Sequence, residues 1–310
     1  MRKIVGIGET ILDIIFKGGQ PRAAVPGGSV FNSIISLGRM GERVSMITET
    51  GDDKVGDVIV DFLRENNVDA TSVCRFRDAK SALSLAWLDE NNDADYEFYK
   101  DYPKARLEVE WPEINPDDIV LMGSYFVLNP VLVDKVHEFL GYARSRGALI
   151  YYDFNFRKTH KHEAMKLHAT LLENMEYADI VKGSVEDFDN MFGKTDPDKI
   201  YKSEVEFYCK NMLFTSGSGD VRLITKQINK SYPVNKVETV STIGAGDNFN
   251  AGVVFGLMRE GILRADLETL DEAAWDRVVR CGIDFAAEVC QSFNNSVSLE
   301  FAESYNKNYK

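Results

Sequence analysis

The feature that most restricts the fold of this chain is a repeated order of apolar runs, amphipathic stretches and polar turns. Ile119–Met122 is a short apolar run, Val133–Ala143 carries apolar residues at helical spacing, and a second run begins at Ala148. Short runs rich in Val, Ile and Leu are typical of strands buried on both faces. Strands that alternate with helices pair in parallel. The pattern predicts an α/β fold with a mostly parallel central sheet and helices on both faces.

The same pattern extends along the rest of the chain. Further elements are expected as strands at Lys3–Gly8 and Val44–Thr48, helices at about 162–177 and 271–291, and a hairpin at 221–234. Asn129 followed by Pro130 is expected to begin a helix, because both residue types are typical of helix N-termini. The sequence shows no linker, low-complexity tract or internal repeat, so residues 1–310 are expected to form one domain.

One stretch is more exposed and more aromatic in character than its surroundings. Leu83, Leu85 and Trp87 alternate with smaller or polar residues, Asn91–Asp93 is a turn pattern, and alternation resumes over Tyr96–Lys100. This arrangement indicates a β-hairpin. We expect such a hairpin either to cover a site as a lid or to form an oligomer surface.

Polar turns follow several of the expected strands. The carboxyl ends of parallel strands lie along one edge of a sheet, where α/β proteins bind ligands. The turns expected to gather there are Glu9–Asp13, Asp153–Arg157, Ser184–Asp187, Thr215–Gly219 and Ser241–Asp247. Asp153, Asn155 and Arg157 are two residues apart, so their side chains point the same way if the backbone stays extended. This spacing indicates ligand-facing residues; the alternative is a surface turn.

Glycines open the helix that follows Ser241. Gly244-Ala245-Gly246 leaves the first N–H groups of that helix open to an anion, and the helix dipole adds positive charge there. Asp247 follows in the first turn and is a candidate base for a hydroxyl that attacks a phosphoryl group. The alternative is a tight turn in which Asp247 only complements the dipole.

A second glycine turn, Pro26-Gly27-Gly28, opens another expected helix near the N-terminus. Glycines at such a place allow a ligand to contact the backbone. Asn32 follows one turn into the helix and can present its amide to that ligand. The alternative is an ordinary N-terminal turn with Asn32 on the surface.

Composition excludes several other classes. The chain has 36 Lys and Arg against 49 Asp and Glu, a net charge of −13, which argues against nucleic acid or an anionic membrane as a partner. Glu9 and Asp13 interrupt the N-terminal apolar run, so no signal peptide is expected, and the four scattered cysteines indicate reduced thiols of a cytoplasmic protein. Gly6 and Gly8 are not followed by the third glycine of a dinucleotide fingerprint, which disfavours an NAD enzyme.

Gly27-Gly28 with Asn32 near one end, and Thr242–Asp247 near the other, are two signatures in a recognisable order and separation. Over essentially its whole length the chain resembles the ribokinase-like, or PfkB, family of carbohydrate kinases. The resemblance implies a ribokinase-like fold whose small β lid is formed by segments at about 11–25 and 78–105. It also implies transfer of the γ-phosphoryl group of ATP to a sugar hydroxyl with Mg²⁺.

The resemblance further implies roles for individual residues. Asp247 is the base, beside an anion hole formed by Gly244, Ala245 and Gly246. The residues expected to bind the sugar are Asp13, Gly27, Gly28, Asn32, Asn155 and Arg157. Those expected to bind the nucleotide are Ser184, Thr215, Gly217, Gly219 and Thr242, with Glu186 and Asp187 near magnesium through water.

The chain departs from the family pattern at two places. Ser241 stands where the family usually has an aspartate linked to a monovalent-cation site, so the resemblance leaves activation by potassium open. Ser184 and Asp187 stand where the family usually has Asn and Glu. These departures keep a second hypothesis in view, a sugar or nucleotide sensor that retains the fold with little catalysis.

Among subgroups, Gly8-Glu9-Thr10, Tyr96–Tyr99 and Asp153–Arg157 look most like fructokinase-type members. The expected substrate is therefore a hexose such as fructose. Alternatives are 2-keto-3-deoxygluconate, with Arg157 as a partner for its carboxylate, and ribose or a nucleoside. The expected partners are thus a small sugar and ATP, and a homodimer through the β lid is a further possibility.

Overall fold

The computed structural model describes residues 2–90 and 94–309, without the side chains of Ala94 and Tyr96. Its strands in chain order are β1 Ile4–Ile7, β2 Ile11–Lys17, β3 Gln20–Gly27, β4 Val44–Gly51, β5 Val68–Asp69, β6 Val73–Phe76, β7 Leu83–Leu88, β8 Ala94–Tyr99, β9 Ile119–Gly123, β10 Leu149–Asp153, β11 Ile180–Ser184, β12 Met212–Thr215, β13 Val221–Ile224 and β14 Asn229–Tyr232.

The helices alternate with these strands over most of the chain. They are α1 Ser29–Arg39, α2 Lys54–Glu65, α3 Val133–Ser145, α4 Ala164–Tyr177, α5 Val185–Phe192, α6 Pro197–Ile200, α7 Ala245–Arg259, α8 Glu272–Val289 and α9 Leu299–Asn308. Short 3₁₀ segments lie at Tyr125–Leu128, Lys158–Glu163 and Arg264–Glu268. Within the described ranges, no helix has the length and apolarity needed to cross a membrane.

The main sheet has the strand order β14-β13-β12-β11-β10-β9-β1-β4-β5, and β6 also pairs with β4. Every pair is parallel except β12 with β13 and β13 with β14. Successive residues of a strand face opposite sides. Ile4 and Leu121 therefore pack against α1, α7 and α8, whereas Val5 and Val120 pack against α3 and α4. The predicted α/β architecture, with helices on both faces of a mostly parallel sheet, is confirmed.

A second, smaller sheet has the strand order β3-β2-β7-β8. We call these four strands the small sheet. β2 pairs antiparallel with β3 and parallel with β7, and β7 pairs antiparallel with β8. The hairpin expected around Leu83 and Tyr99 is therefore present as β7 and β8. The turn expected at 91–93 lies outside the described residues.

Two local expectations were wrong. Asn129 and Pro130 do not begin a helix, since α3 starts at Val133 and the Asn129 carboxamide oxygen accepts from Val131 N in a preceding turn. The local preference for a cap is satisfied by that turn instead, because Asn side chains also stabilise turns. The backbone after Asp153 does not stay extended, because Asn155 has a φ of 37°.

Candidate active site

The N-terminus of α7 lies at the carboxyl edge of the main sheet. Gly244 has a φ of 79°, and its carbonyl accepts the first hydrogen bonds of the helix from Asn248. The Asn248 amide also donates to Asn295 O at 2.9 Å, which fixes the turn to the C-terminal loop. A Cβ built at Gly244 would lie 3.0 Å from Asn295 O, so both φ and space favour glycine there.

Asp247, in the first turn of α7, is only 7% exposed. Its Oδ1 accepts from Ser29 Oγ at 2.8 Å and its Oδ2 accepts from Asn32 Nδ2 at 2.8 Å. Its backbone carbonyl accepts from Ser33 Oγ at 2.6 Å. The first turn of α1 is therefore bonded directly to the first turn of α7, and two predicted site residues, Asn32 and Asp247, are in contact.

The surroundings of Asp247 set its acidity. Burial raises the pKa of the Asp247 carboxyl, because removal from water disfavours the charged form. The hydrogen bonds from Asn32 and Ser29, and the charges of Arg157 and Lys182, act in the opposite direction on this pKa. The carboxylate is thus a stronger base than an exposed aspartate while it retains four groups that stabilise its charge.

The glycine turn before α1 is closely packed. Gly28 has a φ of 134°, and a Cβ there would lie 2.2 Å from Glu9 O. A Cβ at Gly27 would lie 2.8 Å from Asp13 Oδ2. Asp13 accepts a short hydrogen bond from Ser84 Oγ of β7, and burial raises the pKa of its carboxyl. Asp13, Gly27 and Gly28 are therefore neighbours, as expected for one half of a sugar site.

A polar cluster joins the small sheet to the edge of the main sheet. Glu9 Oε1 accepts from Lys100 Nζ at 2.6 Å and from Tyr102 OH at 2.7 Å. The Arg106 guanidinium lies 3.8 Å from the centre of the Tyr102 ring and forms a buried ion pair with Glu49. The segment that leaves β8 is thus attached to the ends of β1 and β4.

Asp153 ends β10 and is buried with its carboxylate directed into the protein. Its Oδ2 accepts from Lys182 Nζ at 3.1 Å and from Asn250 Nδ2 at 2.6 Å. Tyr151 OH donates to Asn250 Oδ1 at 3.0 Å. Asp153 is therefore not ligand-facing alongside Asn155 and Arg157, as an extended backbone would have required.

Arg157 lies instead at a surface cavity of about 720 Å³. Phe156, Lys158, Lys161 and the first turn of α5, with Glu186 and Asp187, also line this cavity. The proposed sugar residue Arg157 and the proposed magnesium residues therefore share one cavity. Asn155 is partly exposed between them and the buried Asp153.

The start of α5 is built around a reciprocal cap. Ser184 Oγ accepts from Asp187 N at 3.1 Å, and Asp187 Oδ2 accepts from Ser184 N and Ser184 Oγ at 2.7 Å each. Across residues 2–90 and 94–309, no group of three or more His, Cys, Asp or Glu side chains is arranged to hold a metal. Glu186 and Asp187 nevertheless fit magnesium, because this ion usually keeps several waters and binds one or two carboxylates together with substrate phosphates.

The next strand brings a second turn beside Ser184. Thr215 is the register partner of Ser184 in the parallel pair β11 and β12. Gly217 follows with a φ of 59°, and Gly219 N donates to Ser216 O at 2.9 Å, which closes a tight exposed turn. Two of the residues expected to bind the nucleotide are thus adjacent strand ends. Thr242 is exposed in the segment before Gly244.

Ser241 occupies its own local turn. Its hydroxyl accepts from Ile243 N at 3.2 Å, and its backbone N–H donates to Cys290 O at 3.3 Å. The side chain stabilises the approach to the α7 turn, which gives this serine a structural role.

Two residues of this edge were missed by the sequence reasoning. Ser29 donates to Asp247, and Lys182 lies close beneath the α7 turn. Ser29 carried a signal as the residue between Gly28 and the helix. Lys182 could have been noticed because it is a charged residue inside the apolar run Ile180–Gly183.

Sequence comparison relates the chain to carbohydrate kinases. A profile of the pfkB family of carbohydrate kinases matches residues 1–302. The chain is 28% identical over 278 residues to a fructokinase of Rhizobium leguminosarum bv. trifolii, covering 87% of this chain and 85% of that protein. It is 25% identical to probable fructokinase-5 of Arabidopsis thaliana, covering 87% of both chains.

Solved structures show the same fold. Fructokinase from Xylella fastidiosa with bound ATP superposes with a TM-score of 0.82 at 20% identity, covering 100% of each chain. Aminoimidazole riboside kinase from Salmonella enterica, complexed with aminoimidazole riboside and an ATP analog, gives 0.81 at 21% identity, covering 99% of each. With the family profile spanning almost the whole sequence, the chain belongs to the pfkB family of carbohydrate kinases, phosphotransferases that act on sugar hydroxyls.

Proposed function

We propose that this kinase transfers the γ-phosphoryl group of ATP to a hydroxyl of a hexose, with fructose as the substrate. The observation that carries the proposal is the contact between Asn32 of α1 and the buried carboxylate of Asp247 in α7. It joins a turn suited to sugar hydroxyls to a helix N-terminus suited to phosphate. The fructokinases among the relatives, at 25% to 28% identity, support the choice of sugar.

In the proposed reaction the sugar hydroxyl oxygen attacks the γ-phosphorus of ATP. The bond from that phosphorus to the β-phosphate oxygen breaks, and ADP leaves with the electron pair. The hydroxyl proton passes to the Asp247 carboxylate. Burial raises the pKa of this group, and the hydrogen bonds from Asn32 and Ser29 with the charges of Arg157 and Lys182 favour its ionised form. Ser29 and Asn32 hold the two carboxylate oxygens, so the base has a fixed orientation.

The phosphate side of the site consists mainly of backbone groups. Gly244 directly precedes α7, and Ala245 and Gly246 form its first turn, where the helix dipole favours an anion. The Ala245 N–H donates to Thr242 O at 3.2 Å, so the N–H groups of Gly244 and Gly246 are the proposed donors to phosphate. The loose transition state of phosphoryl transfer depends on positioning and charge stabilisation, which such groups supply without reorganisation. Magnesium, when bound with the nucleotide, neutralises phosphate charge, and Glu186 and Asp187 are its proposed protein partners through water.

The sugar side is assigned to Asp13, Gly27, Gly28 and Asn32, with Asn155 and Arg157 at its margin. Asp13 is held by Ser84 of the small sheet, so the sugar residues and that sheet are connected. The nucleotide is assigned to Ser184, Thr215, Gly217, Gly219 and Thr242. We propose that the small sheet acts as a lid that excludes water and thereby limits hydrolysis of ATP.

A sugar panel with Mg-ATP tests the substrate. Fructose, glucose, ribose, 2-keto-3-deoxygluconate and a purine nucleoside are compared by kcat/KM, and fructose is expected to give the largest value. A larger kcat/KM for 2-keto-3-deoxygluconate, lost in Arg157→Met, would replace fructose by a sugar acid. Ligand-induced stabilisation without any phosphorylated product would instead support the sensor hypothesis.

We also propose that the small sheet forms a homodimer. Trp87 and Tyr99, 40% and 50% exposed, lie on β7 and β8, and Trp87 stacks on Phe16 of β2 at 4.4 Å. Exposed aromatic residues on one sheet are typical of interfaces. Sedimentation velocity is expected to show a dimer for the wild type and a monomer for Tyr99→Glu. A wild-type monomer at tens of micromolar would contradict the proposal.

A further inference from the structure

A buried lysine lies directly behind the candidate phosphate site. Lys182 is the third residue of β11, and its side chain is 4% exposed. Its ammonium lies 3.1 Å from Asp153 Oδ2, and the Asp153 side chain is 2% exposed. Lysine is rarely this buried without a partner, and an ion pair at this depth requires an explanation.

The position of the ammonium relative to α7 is the second observation. A Cβ built at Gly246 would lie 3.4 Å from Lys182 Nζ. The ammonium therefore lies beside the backbone of the first turn of α7. Asp247, one residue further along the helix, is close enough for its charge to interact with Lys182.

The ion pair itself is poorly suited to a purely structural role. Asp153 Oδ2 accepts from both Lys182 and Asn250, whereas the buried Oδ1 has no hydrogen-bond partner in the described part of the chain. Buried ion pairs recover their desolvation cost only when the geometry is good and the remaining polar atoms are satisfied. Apolar residues of similar volume would stabilise this part of the core at least as well.

We propose that Lys182 is a positioning residue for phosphoryl transfer, which adds positive charge behind Gly244–Asp247 without touching the substrate. The inference rests on the proposed function, because it takes this helix N-terminus as the phosphate site. A full charge near the partial charge of the helix dipole strengthens attraction for the transferring phosphoryl group, and low polarity around it limits screening. The same charge favours the ionised form of Asp247.

The role of Asp153 follows from this arrangement. Burial alone lowers the pKa of a lysine, whereas the nearby carboxylates of Asp153 and Asp187 keep Lys182 charged, and its pKa is raised. The Asp153 carboxylate, bonded to Asn250, holds the ammonium at the α7 turn. Asp153 therefore belongs to the support of the site and not to its ligand-facing surface.

The test separates catalysis from stability by removing both charges at once. Lys182→Met alone leaves Asp153 buried without its partner, so a lower unfolding midpoint is expected. The double variant Lys182→Met with Asp153→Asn removes both charges of the ion pair, and its midpoint is expected to return towards the wild-type value. Its kcat with the best panel sugar is expected to stay about 100-fold below wild type, with the affinity for MgADP within threefold.

Arg264→Met provides a matched control at the other end of the same strand. Arg264 Nε lies 2.9 Å from Oδ1 of Asp179, which directly precedes β11, at the amino edge of the sheet. This variant breaks a partly buried ion pair far from α7. It is expected to lower the unfolding midpoint and to leave kcat within twofold of wild type.

The outcomes distinguish the inference from the proposed function. A wild-type enzyme that phosphorylates a panel sugar supports the function, and a folded double variant with near wild-type kcat would then overturn the role of Lys182. If the double variant does not fold, Lys182→Met is compared with the control Arg264→Met. A loss of kcat in Lys182→Met no larger than that in Arg264→Met would overturn the inference.

A pH profile supplies a readout that a structural role would not move. Arg157 and Lys182 are the charged groups that favour the ionised form of Asp247. Without Lys182 the pKa of Asp247 rises further, so the acidic limb of kcat/KM is expected to move to higher pH. An unmoved limb in a folded Lys182→Met variant would contradict the electrostatic role.

Discussion

The two glycine turns of the site, Gly27-Gly28 before α1 and Gly244–Gly246 at the start of α7, both lie at helix N-termini but differ in the reason for glycine. Each precedes a helix and each contributes to the contact between Asn32 and Asp247. At Gly28 the backbone needs glycine, because a Cβ would lie 2.2 Å from Glu9 O at a φ of 134°. At Gly246 the backbone is helical and the nearest atom to a Cβ is Lys182 Nζ at 3.4 Å. The comparison teaches that packing requires the first glycine, whereas at the second, packing does not, and we propose that it allows a ligand to approach the backbone.

The charges of the two turns differ as well. The first turn of α1 carries no acidic residue, and its Ser29 and Asn32 donate hydrogen bonds. The first turn of α7 carries Asp247, which accepts those bonds. One turn therefore supplies neutral donors and the other supplies the carboxylate that we propose as the base, so substitutions in the two turns are expected to have different effects.

The largest effect is expected from Asp247→Asn, which removes the base and keeps the shape of the side chain. Loss of a general base costs about 10³-fold in kcat, measured by steady-state assay with the best sugar. Asp134→Asn is the control, since Asp134 is an exposed acid in the first turn of α3. Near wild-type turnover by Asp247→Asn would show that this residue is not the base.

The next effect is expected on stability, from Gly28→Ala. The added Cβ meets Glu9 O, and the φ of 134° is strained for alanine, so the free energy of unfolding is expected to fall by about 3 kcal/mol. Denaturant unfolding measures it. Gly18→Ala separates the two causes, because Gly18 has a φ of 60° and, among the residues that the structure describes, no atom lies within 4 Å of a Cβ there. Equal losses in both variants would rule out the clash.

Gly246→Ala tests the other half of the comparison. Alanine suits a helix better than glycine, so the free energy of unfolding is expected to stay within about 1 kcal/mol of wild type. The added methyl group would lie 3.4 Å from Lys182 Nζ, within the turn assigned to phosphate, and the KM for MgATP is expected to rise about tenfold. An unchanged KM would place the phosphate away from Gly246.

The smallest effect is expected in the pH dependence of Asn32→Ala. The base acts when ionised, and burial raises its pKa, so kcat/KM should fall as the pH falls through that raised value. The Asn32 hydrogen bond favours the carboxylate, and its loss should move the acidic limb to higher pH while Arg157 and Lys182 remain. A limb that moves to lower pH would contradict the assignment.

The elements that follow a repeated apolar pattern could be predicted from the sequence, whereas those that depend on a single contact could not. The alternation around Ile119–Met122 and the Leu83 hairpin were recovered, since periodicity reports burial directly. Asn129 was misplaced because a side chain that caps a helix can equally stabilise a turn. Helix α9 was not anticipated, although Ser298 caps it by accepting from Phe301 N.

The same distinction between patterns and single contacts applies to the candidate site. Gly244–Asp247 and Gly27-Gly28 were identified because glycine beside a helix start indicates an unusual backbone conformation or a close approach to the backbone. Asp153 and Arg157 part because the backbone leaves the extended form at Asn155, whose φ is 37°, and no pattern two residues apart contains this turn. The pairing of Lys182 with Asp153 joins residues 29 positions apart and is visible only in three dimensions.

The bonds from Ser29 and Asn32 to Asp247 span 218 and 215 residues of the chain. Contacts of such long sequence separation form late, because the closure of a large loop must precede them. Neither turn holds the other until both ends of the polypeptide have folded onto the sheet. Enzyme activity is therefore expected to appear only in the last step of folding. It is also expected to be lost as soon as either end of the chain unfolds locally, so an activity assay also measures whether both ends are folded.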